Sequence, residues 1–115
     1  MPLMLPNGQK IFGEVDSGSQ ALILHERYMK DLGINPHDKD VTHKSGKDET
    51  GNSFDRYFTT LKGPVHLPEN PHMKVDNIKV MFQKIIYDGL VGQYFLRSFI
   101  VTYDLKNSRM IFRKP

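Results

Sequence analysis

Asp16-Ser17-Gly18-Ser19 lies between two apolar, β-prone runs, and the rest of the chain is interpreted outward from it. The run before it contains Ile11, Phe12 and Val15, and the run after it covers 21–24. A carboxylate in this setting needs hydrogen bonds, which a glycine amide or a serine hydroxyl can donate. The stretch therefore predicts a carboxylate held at the end of a strand and suited to acid–base chemistry, although a structural turn uses the same residue types.

The composition limits the possible classes of protein. A chain of 115 residues suits one domain with a modest core, and the absence of cysteine excludes disulfides, thiolate metal sites and cysteine nucleophiles. The net charge is only +3, and the closest approach to a basic patch is Arg109, Arg113 and Lys114. We therefore predict no nucleic-acid partner and no membrane partner. The first residues lack the pattern of a signal peptide, which leaves the cellular location open.

The N-terminal third predicts a hairpin, a strand and a short helix. Residues 3–5 and 10–15 form two strands joined by an Asn7-Gly8 turn, and the second strand delivers Asp16. Residues 21–24 then form the strand that leaves the acidic turn. Residues 25–32 favour a short helix that ends at Gly33, a residue suited to a helix C-terminus.

The polar middle, 35–52, predicts a long loop or an exposed hairpin. We place its tip between Gly46 and Gly51, with 53–61 as the returning strand. Tyr57 and Phe58 could line a cleft there, although packing in the core or across strands is the stronger expectation.

A metal site is a competing interpretation of the same region. His37, Asp38, Asp40 and His43 offer two imidazoles and two carboxylates, which could bind zinc or a similar ion. Their spacing matches no known ligand pattern, so we predict neither a metal nor a cofactor.

The C-terminal half predicts a connection, a strand, a helical turn and a last hairpin. Three Xaa-Pro pairs make 62–75 a connection with at most an interrupted edge strand. Residues 75–86 alternate like a strand, 93–99 fit one or two helical turns, and 99–105 with 109–112 form the terminal hairpin.

A second signature, Leu90-Val91-Gly92, follows the acidic stretch at a distance. The two together resemble the retropepsin-like aspartic peptidases, which pair an acidic D-[TS]-G-[AS] turn with a later apolar-apolar-glycine motif, a short helix and a terminal hairpin. The resemblance implies a mainly β, closed or barrel-like lobe over 1–115, with a flap hairpin and one or two short helices. In that family the Asp88-Gly89 pair is a turn, so Asp88 is not a second catalytic acid.

The resemblance also implies an activity. Asp16 would be the catalytic acid of an endopeptidase that acts on peptides or proteins, and the single acidic signature implies a homodimer in which Asp16 and its symmetry mate form the dyad. Ser17 would hydrogen-bond the partner's backbone, Gly18 would present its amide to the carboxylate, and Ser19 would hydrogen-bond the outer carboxylate oxygen.

Two alternatives stay open at this point. The hairpin tip around Gly46 and Gly51 is more charged than the glycine-rich flap tips of the family, which permits a catalytically silent module that binds peptides or supports assembly. The last stretch also resembles one lobe of the two-lobed, pepsin-like enzymes, which permits an isolated lobe.

Overall fold

The chain folds as a mainly β lobe with two very short helices. The computed structural model describes residues 1–16, 18–104 and 106–113. Within them the strands are, in chain order, β1 (Pro2–Met4), β2 (Lys10–Val15), β3 (Leu22–His25), β4 (Thr42–Lys47), β5 (Ser53–Thr60), β6 (Pro64–Leu67), β7 (Asn70–Asp76), β8 (Lys79–Gln83), β9 (Gly89–Val91), β10 (Ile100–Asp104) and β11 (Arg109–Arg113). The helices in the same ranges are α1 (Tyr28–Asp31) and α2 (Gln93–Leu96).

The strand order explains how distant parts of the chain meet. In the described residues, one sheet runs β4-β5-β8-β3-β9-β2-β1-β6-β7, and β10 pairs with β11 as a separate hairpin. The predicted mainly β lobe with two short helices is confirmed. The large sheet is open rather than closed, because its end strands β4 and β7 pair with no further strand among the described residues. Neither helix there is long and apolar enough to cross a membrane.

One face of the sheet forms the core, as strand alternation requires. Leu22 and Leu24 of β3 lie opposite Val80 and Phe82 of β8, and all four side chains are buried. Complete burial of a side chain such as Phe82 contributes about 1.5–3 kcal/mol. The buried apolar residues are Leu3, Leu5, Ile11, Leu22, Leu24, Tyr28, Met29, Leu61, Val65, Ile78, Val80, Phe82, Val91, Phe95, Leu96 and Phe99.

The predicted N-terminal hairpin is present, and the predicted helix is shorter than expected. Gly8 adopts a φ of 85° between β1 and β2, a conformation that glycine tolerates without strain. The helix covers only α1, because His25 belongs to β3. Gly33, with a φ of 71°, ends it, and the amide of Ile34 donates to the carbonyl of Met29 over 2.8 Å.

The interpretation of 62–75 as a connection is wrong in part. The segment forms a hairpin of β6 and β7, with a register shift between His66 and Leu67. Proline is compatible with this arrangement because Pro64 is the first residue of β6 and Pro71 lies in β7, an end strand of the sheet. The expectation of an edge strand is therefore correct for β7.

The side chain of Asp88, which lies just before β9, connects β9 to β2 and to the start of α1. Its carboxylate accepts a hydrogen bond from the amide of Phe12 in β2 over 3.3 Å, forms an ion pair with Arg27, and is hydrogen-bonded to the hydroxyl of Tyr28 in α1. Burial alone would raise the pKa of Asp88, but the Tyr28 and Phe12 hydrogen bonds and the Arg27 charge together outweigh it and lower this pKa. Asp88 is thus a structural carboxylate.

Replacing Asp88 by Asn should make stability depend less on pH. A carboxyl whose folded pKa is lowered stabilises the fold above its unfolded pKa of about 3.9, and this contribution disappears as the pH falls through the lower, folded value. We expect Asp88→Asn to cost about 1 kcal/mol at pH 7, with the difference from wild type shrinking below about pH 4. Urea unfolding from pH 2.5 to 7 measures this.

Asp76→Asn is the matched control, because Asp76 pairs with Lys74 in a half-exposed ion pair on β7. Such a pair contributes little, so the control should unfold like wild type. If Asp88→Asn lowered the free energy of unfolding by the same amount at every pH, the negative charge of the Asp88 carboxylate would not be what stabilises the fold.

Candidate active site

The acidic turn is built around β9, which runs between the two strands that flank the turn. On one side β9 is parallel to β2, with Glu14 opposite Leu90 and Val15 opposite Val91. On the other side β9 is antiparallel to β3, where Leu90 also lies opposite Ile23. The two sequence signatures, which are far apart along the chain, are therefore neighbours in one sheet.

Backbone hydrogen bonds hold the turn on both sides. The amide of Asp16 donates to the carbonyl of Val91 over 2.9 Å, which extends the β2–β9 pairing by one residue. The amide of Ser19 donates to the carbonyl of Asp16 over 3.1 Å. Beyond the turn, the amide of Gln93 donates to the carbonyl of Ser19 and the amide of Tyr94 to that of Gln20, both over 2.8 Å. The start of α2 thereby holds Ser19 and Gln20, the residues with which the turn ends.

Gly92 permits this close approach because it has no side chain. A Cβ atom at position 92 would lie 2.7 Å from the carbonyl oxygen of Ser19 and closer still to that of Ala21. Both neighbours are backbone atoms of the turn and cannot rotate away. The glycine of the second signature is therefore required by contact with the first.

Asp16 presents its carboxylate on the face of the sheet opposite the core. Val15 packs against the core, so strand alternation places Asp16 and Glu14 on the other face. The amide of Gly18 donates to Oδ1 of Asp16 over 3.1 Å, which is the contact predicted for Gly18. Asp16 as a whole is half-buried.

The hydroxyl of Ser19 has a different partner in this chain, so its expected hydrogen bond to the Asp16 carboxylate stays a prediction. The hydroxyl of Ser19 donates to the carbonyl of Ala21 over 3.2 Å, and a hydroxyl has one proton to give. Ser19 instead supports the turn through its backbone. Ser17 lies outside the described residues, so its expected contact with a partner chain stays a prediction.

The hairpin predicted around Gly46 and Gly51 is present as β4 and β5, with six cross-strand pairs from Thr42–Phe58 to Lys47–Ser53. Its charged tip is an ordered turn. Oδ1 of Asp48 accepts from the Thr50 hydroxyl over 2.6 Å and from the amides of Thr50 and Asn52, and these hydrogen bonds lower the pKa of Asp48.

The four candidate metal ligands do not come together. Nε2 of His43 lies 2.8 Å from Oδ1 of Asp55 across the hairpin, and its ring stacks on Tyr57 with the ring centres 4.6 Å apart. His37, Asp38 and Asp40 lie in the loop before β4. Among the described residues, no group of three or more such side chains could hold a metal ion.

Cross-strand register reveals a row on the Asp16 face that the sequence analysis missed, with four half-buried apolar residues between an exposed residue at each end. Successive strand pairs align it over six strands. We call it the outer row, and it consists of Glu14, Leu90, Ile23, Met81, Phe58 and Thr42. The alternation of Leu22, Leu24, Val80 and Phe82 inward could have indicated that Ile23 and Met81 face outward, but only the register brings them into one line.

The outer row is open to the surface in this chain. A cleft of about 320 Å³ lies elsewhere, between Asn7, Ile34 and Thr60, and Asp16 does not line it. Asp16 therefore lies outside this cleft, next to Glu14 at one end of the outer row.

The comparisons with known proteins agree with the fold. The sequence matches no protein-family model and no curated protein sequence. The crystal structure of a retropepsin-like aspartic protease from Rickettsia conorii is similar to this chain, with a TM-score of 0.61 and 21% sequence identity. The similarity covers 90% of this chain and 74% of that one. At this identity it shows that the chain has the fold of a retropepsin-like aspartic protease.

Gly92→Ala tests the contact between the two signatures. The added methyl group must push β9 away from the acidic turn, and we expect a loss of about 1–3 kcal/mol in the free energy of unfolding. Gly18→Ala is the control, because a Cβ atom there meets only Oδ1 of Asp16, at an ordinary 3.4 Å. Thermal and urea unfolding measure both. Equal stability of the two variants would contradict the proposed close packing.

Proposed function

We propose that two copies of this chain form an aspartic endopeptidase, with Asp16 and its symmetry mate as the catalytic dyad. The observation that carries the proposal is the position of Asp16, in a turn that β9 and Gly92 hold from the inside. The fold similarity to a retropepsin-like aspartic protease supports the general kind of activity.

The chemistry requires a second carboxylate. Two carboxylates held close together cannot both ionise readily, so they share a proton. One then acts as the base that activates a water molecule, and the other donates a hydrogen bond or a proton to the carbonyl oxygen of the peptide bond. A two-fold axis next to the turn supplies this second group, because a symmetric interface places identical residues opposite each other.

The turn provides what such a carboxylate needs. The amide of Gly18 stabilises the charged form through its 3.1 Å hydrogen bond to Oδ1. In the proposed dimer, Ser17 hydrogen-bonds the partner's backbone and braces the two turns against each other. Leu90 and Ile23 of the outer row line the surface beside the carboxylate, where side chains of a substrate lie.

The hairpin of β4 and β5 acts as the flap in this proposal. The outer row runs from Glu14, two residues before Asp16, to Phe58 and Thr42 on the hairpin. Closure of the hairpin over a bound peptide excludes water from the reacting bond. The hydrogen-bonded tip around Asp48 keeps the hairpin in shape during that movement.

Asp16→Asn should abolish peptide cleavage while the fold is kept. Asparagine keeps the size of the side chain but can neither accept nor release the shared proton, so we expect kcat/KM to fall by about 10²–10⁴-fold or more. Cleavage of a diverse peptide mixture between about pH 4 and 7, followed by mass spectrometry, measures this. Activity should rise on acidification as one carboxylate of the pair takes up a proton.

Asp76→Asn on the distant strand β7 controls for the change of charge and should cleave like wild type. Sedimentation should give the same size for wild type and for both variants. Cleavage by Asp16→Asn near the wild-type rate would remove Asp16 from its role, and silence of all three proteins would favour a binding module.

A further inference from the structure

The hairpin carries a second, basic row beside the outer row and on the same face. Lys44 lies opposite Arg56, Arg56 opposite Gln83, and Gln83 opposite His25. Residues that lie directly opposite each other project on one side of a sheet, and these positions are each two residues from the outer row. The cations Lys44 and Arg56 thus share a face with Asp16.

Aromatic rings hold both cations in place. The Arg56 guanidinium lies 4.2 Å from the centre of the Phe54 ring, and Nζ of Lys44 lies 5.4 Å from the centre of the Phe58 ring. Such cation–π contacts position a charge without neutralising it. None of the ion pairs in the described residues involves either cation. The pair therefore presents two positive charges on one side of the hairpin.

Arg56 also has an unused hydrogen-bond donor. Its Nε atom is buried and has no hydrogen-bond partner in the described part of the chain. A buried donor of a charged group without a partner is costly, and native proteins rarely leave one without a reason. A carboxylate that reaches Arg56 and draws the guanidinium from the Phe54 ring can pair with Nε and a terminal nitrogen together, in the two-point geometry that arginine favours.

We propose that this cation pair, Lys44 and Arg56, binds an acidic side chain of the peptide substrate. The inference rests on the proposed peptidase function and adds a substrate class to it. The apolar residues of the outer row take aliphatic or aromatic side chains next to the reacting bond, and the cation pair takes a Glu or Asp farther along. Four strand spacings separate β2 from β5, about 19 Å, and Arg56 lies four residues, about 13 Å, from the level of Asp16 along the strands. The cation pair and Asp16 are therefore about 23 Å apart, a distance that an extended peptide spans in about seven residues.

Charge on the same face favours a peptide over a nucleic acid. The outer row begins with Glu14, and Asp16 lies beside it. These carboxylates repel a run of phosphates, whereas a peptide with one or two acids and an otherwise apolar sequence avoids that repulsion. The aliphatic side chains of Leu90, Ile23 and Met81 between the two ends also suit a peptide.

The test uses pairs of peptides that differ only by Glu or Gln within eight residues of the cleaved bond. Binding is measured by fluorescence anisotropy with the Asp16→Asn protein, which holds substrate without cleaving it. We expect the Glu member of at least one pair to bind about tenfold more tightly, with the difference reduced at high salt. Lys44→Glu and Arg56→Gln should each remove this preference.

Lys47→Glu is the matched control. It makes the same charge change on the same hairpin, but Lys47 lies opposite Ser53, on the other face from Lys44 and Arg56. This variant should keep the preference for Glu. Lys44 is exposed, so Lys44→Glu tests the site even if Arg56→Gln disturbs packing.

Three results would overturn the inference. They are equal or no binding by both members of every pair, an effect of Lys47→Glu as large as that of Lys44→Glu, and tighter binding of a single-stranded oligonucleotide than of the acidic peptides. Cleavage by wild type separates the two proposals. Cleavage without any preference for acidic peptides removes the cation pair alone, whereas preferential binding without cleavage keeps the site and removes the peptidase.

Discussion

The backbone contact between Gly92 and the acidic turn is the constraint on which the rest of the structure depends. β9 can lie between β2 and β3 only if residue 92 passes directly against the carbonyl groups of Ser19 and Ala21. That insertion fixes Asp16 at the end of β2, joins the two halves of the chain in one sheet, and lets the start of α2 hold the turn from the far side. A side chain at this position would separate the carboxylate from its support.

The two faces of the sheet differ in the residues that they carry. One face carries the buried core, and the other carries Asp16, the apolar outer row and, on the hairpin, Lys44 and Arg56. The core face stabilises the fold, and in the proposed function the other face binds substrate. In the proposed dimer the same arrangement is repeated across the two-fold axis, so that two half-sites form one cleft with a carboxylate from each copy.

Local signals in the sequence predicted the parts of this structure that short-range physics determines. Asn7-Gly8 indicated the first hairpin, Gly33 the end of the first helix, and the two signatures the lobe itself. These local signals could not predict long-range pairing. The order β3-β8-β5 and the outer row depend on the register between segments that are distant in the sequence. The prolines of 62–75 hid the β6–β7 hairpin, since edge strands tolerate proline. The hydroxyl of Ser19 donates to the carbonyl of Ala21, a local contact that the sequence did not indicate.

The most direct test of the central claim is cleavage by mixtures of wild type and Asp16→Asn at constant total protein concentration. If each active site needs one Asp16 from each copy, mixed dimers are inactive. Replacing half of the wild-type chains should then lower activity to about one quarter, as random pairing requires. A fall to only about one half, in proportion to the wild-type chains that remain, would show that each chain acts alone and would contradict the shared dyad.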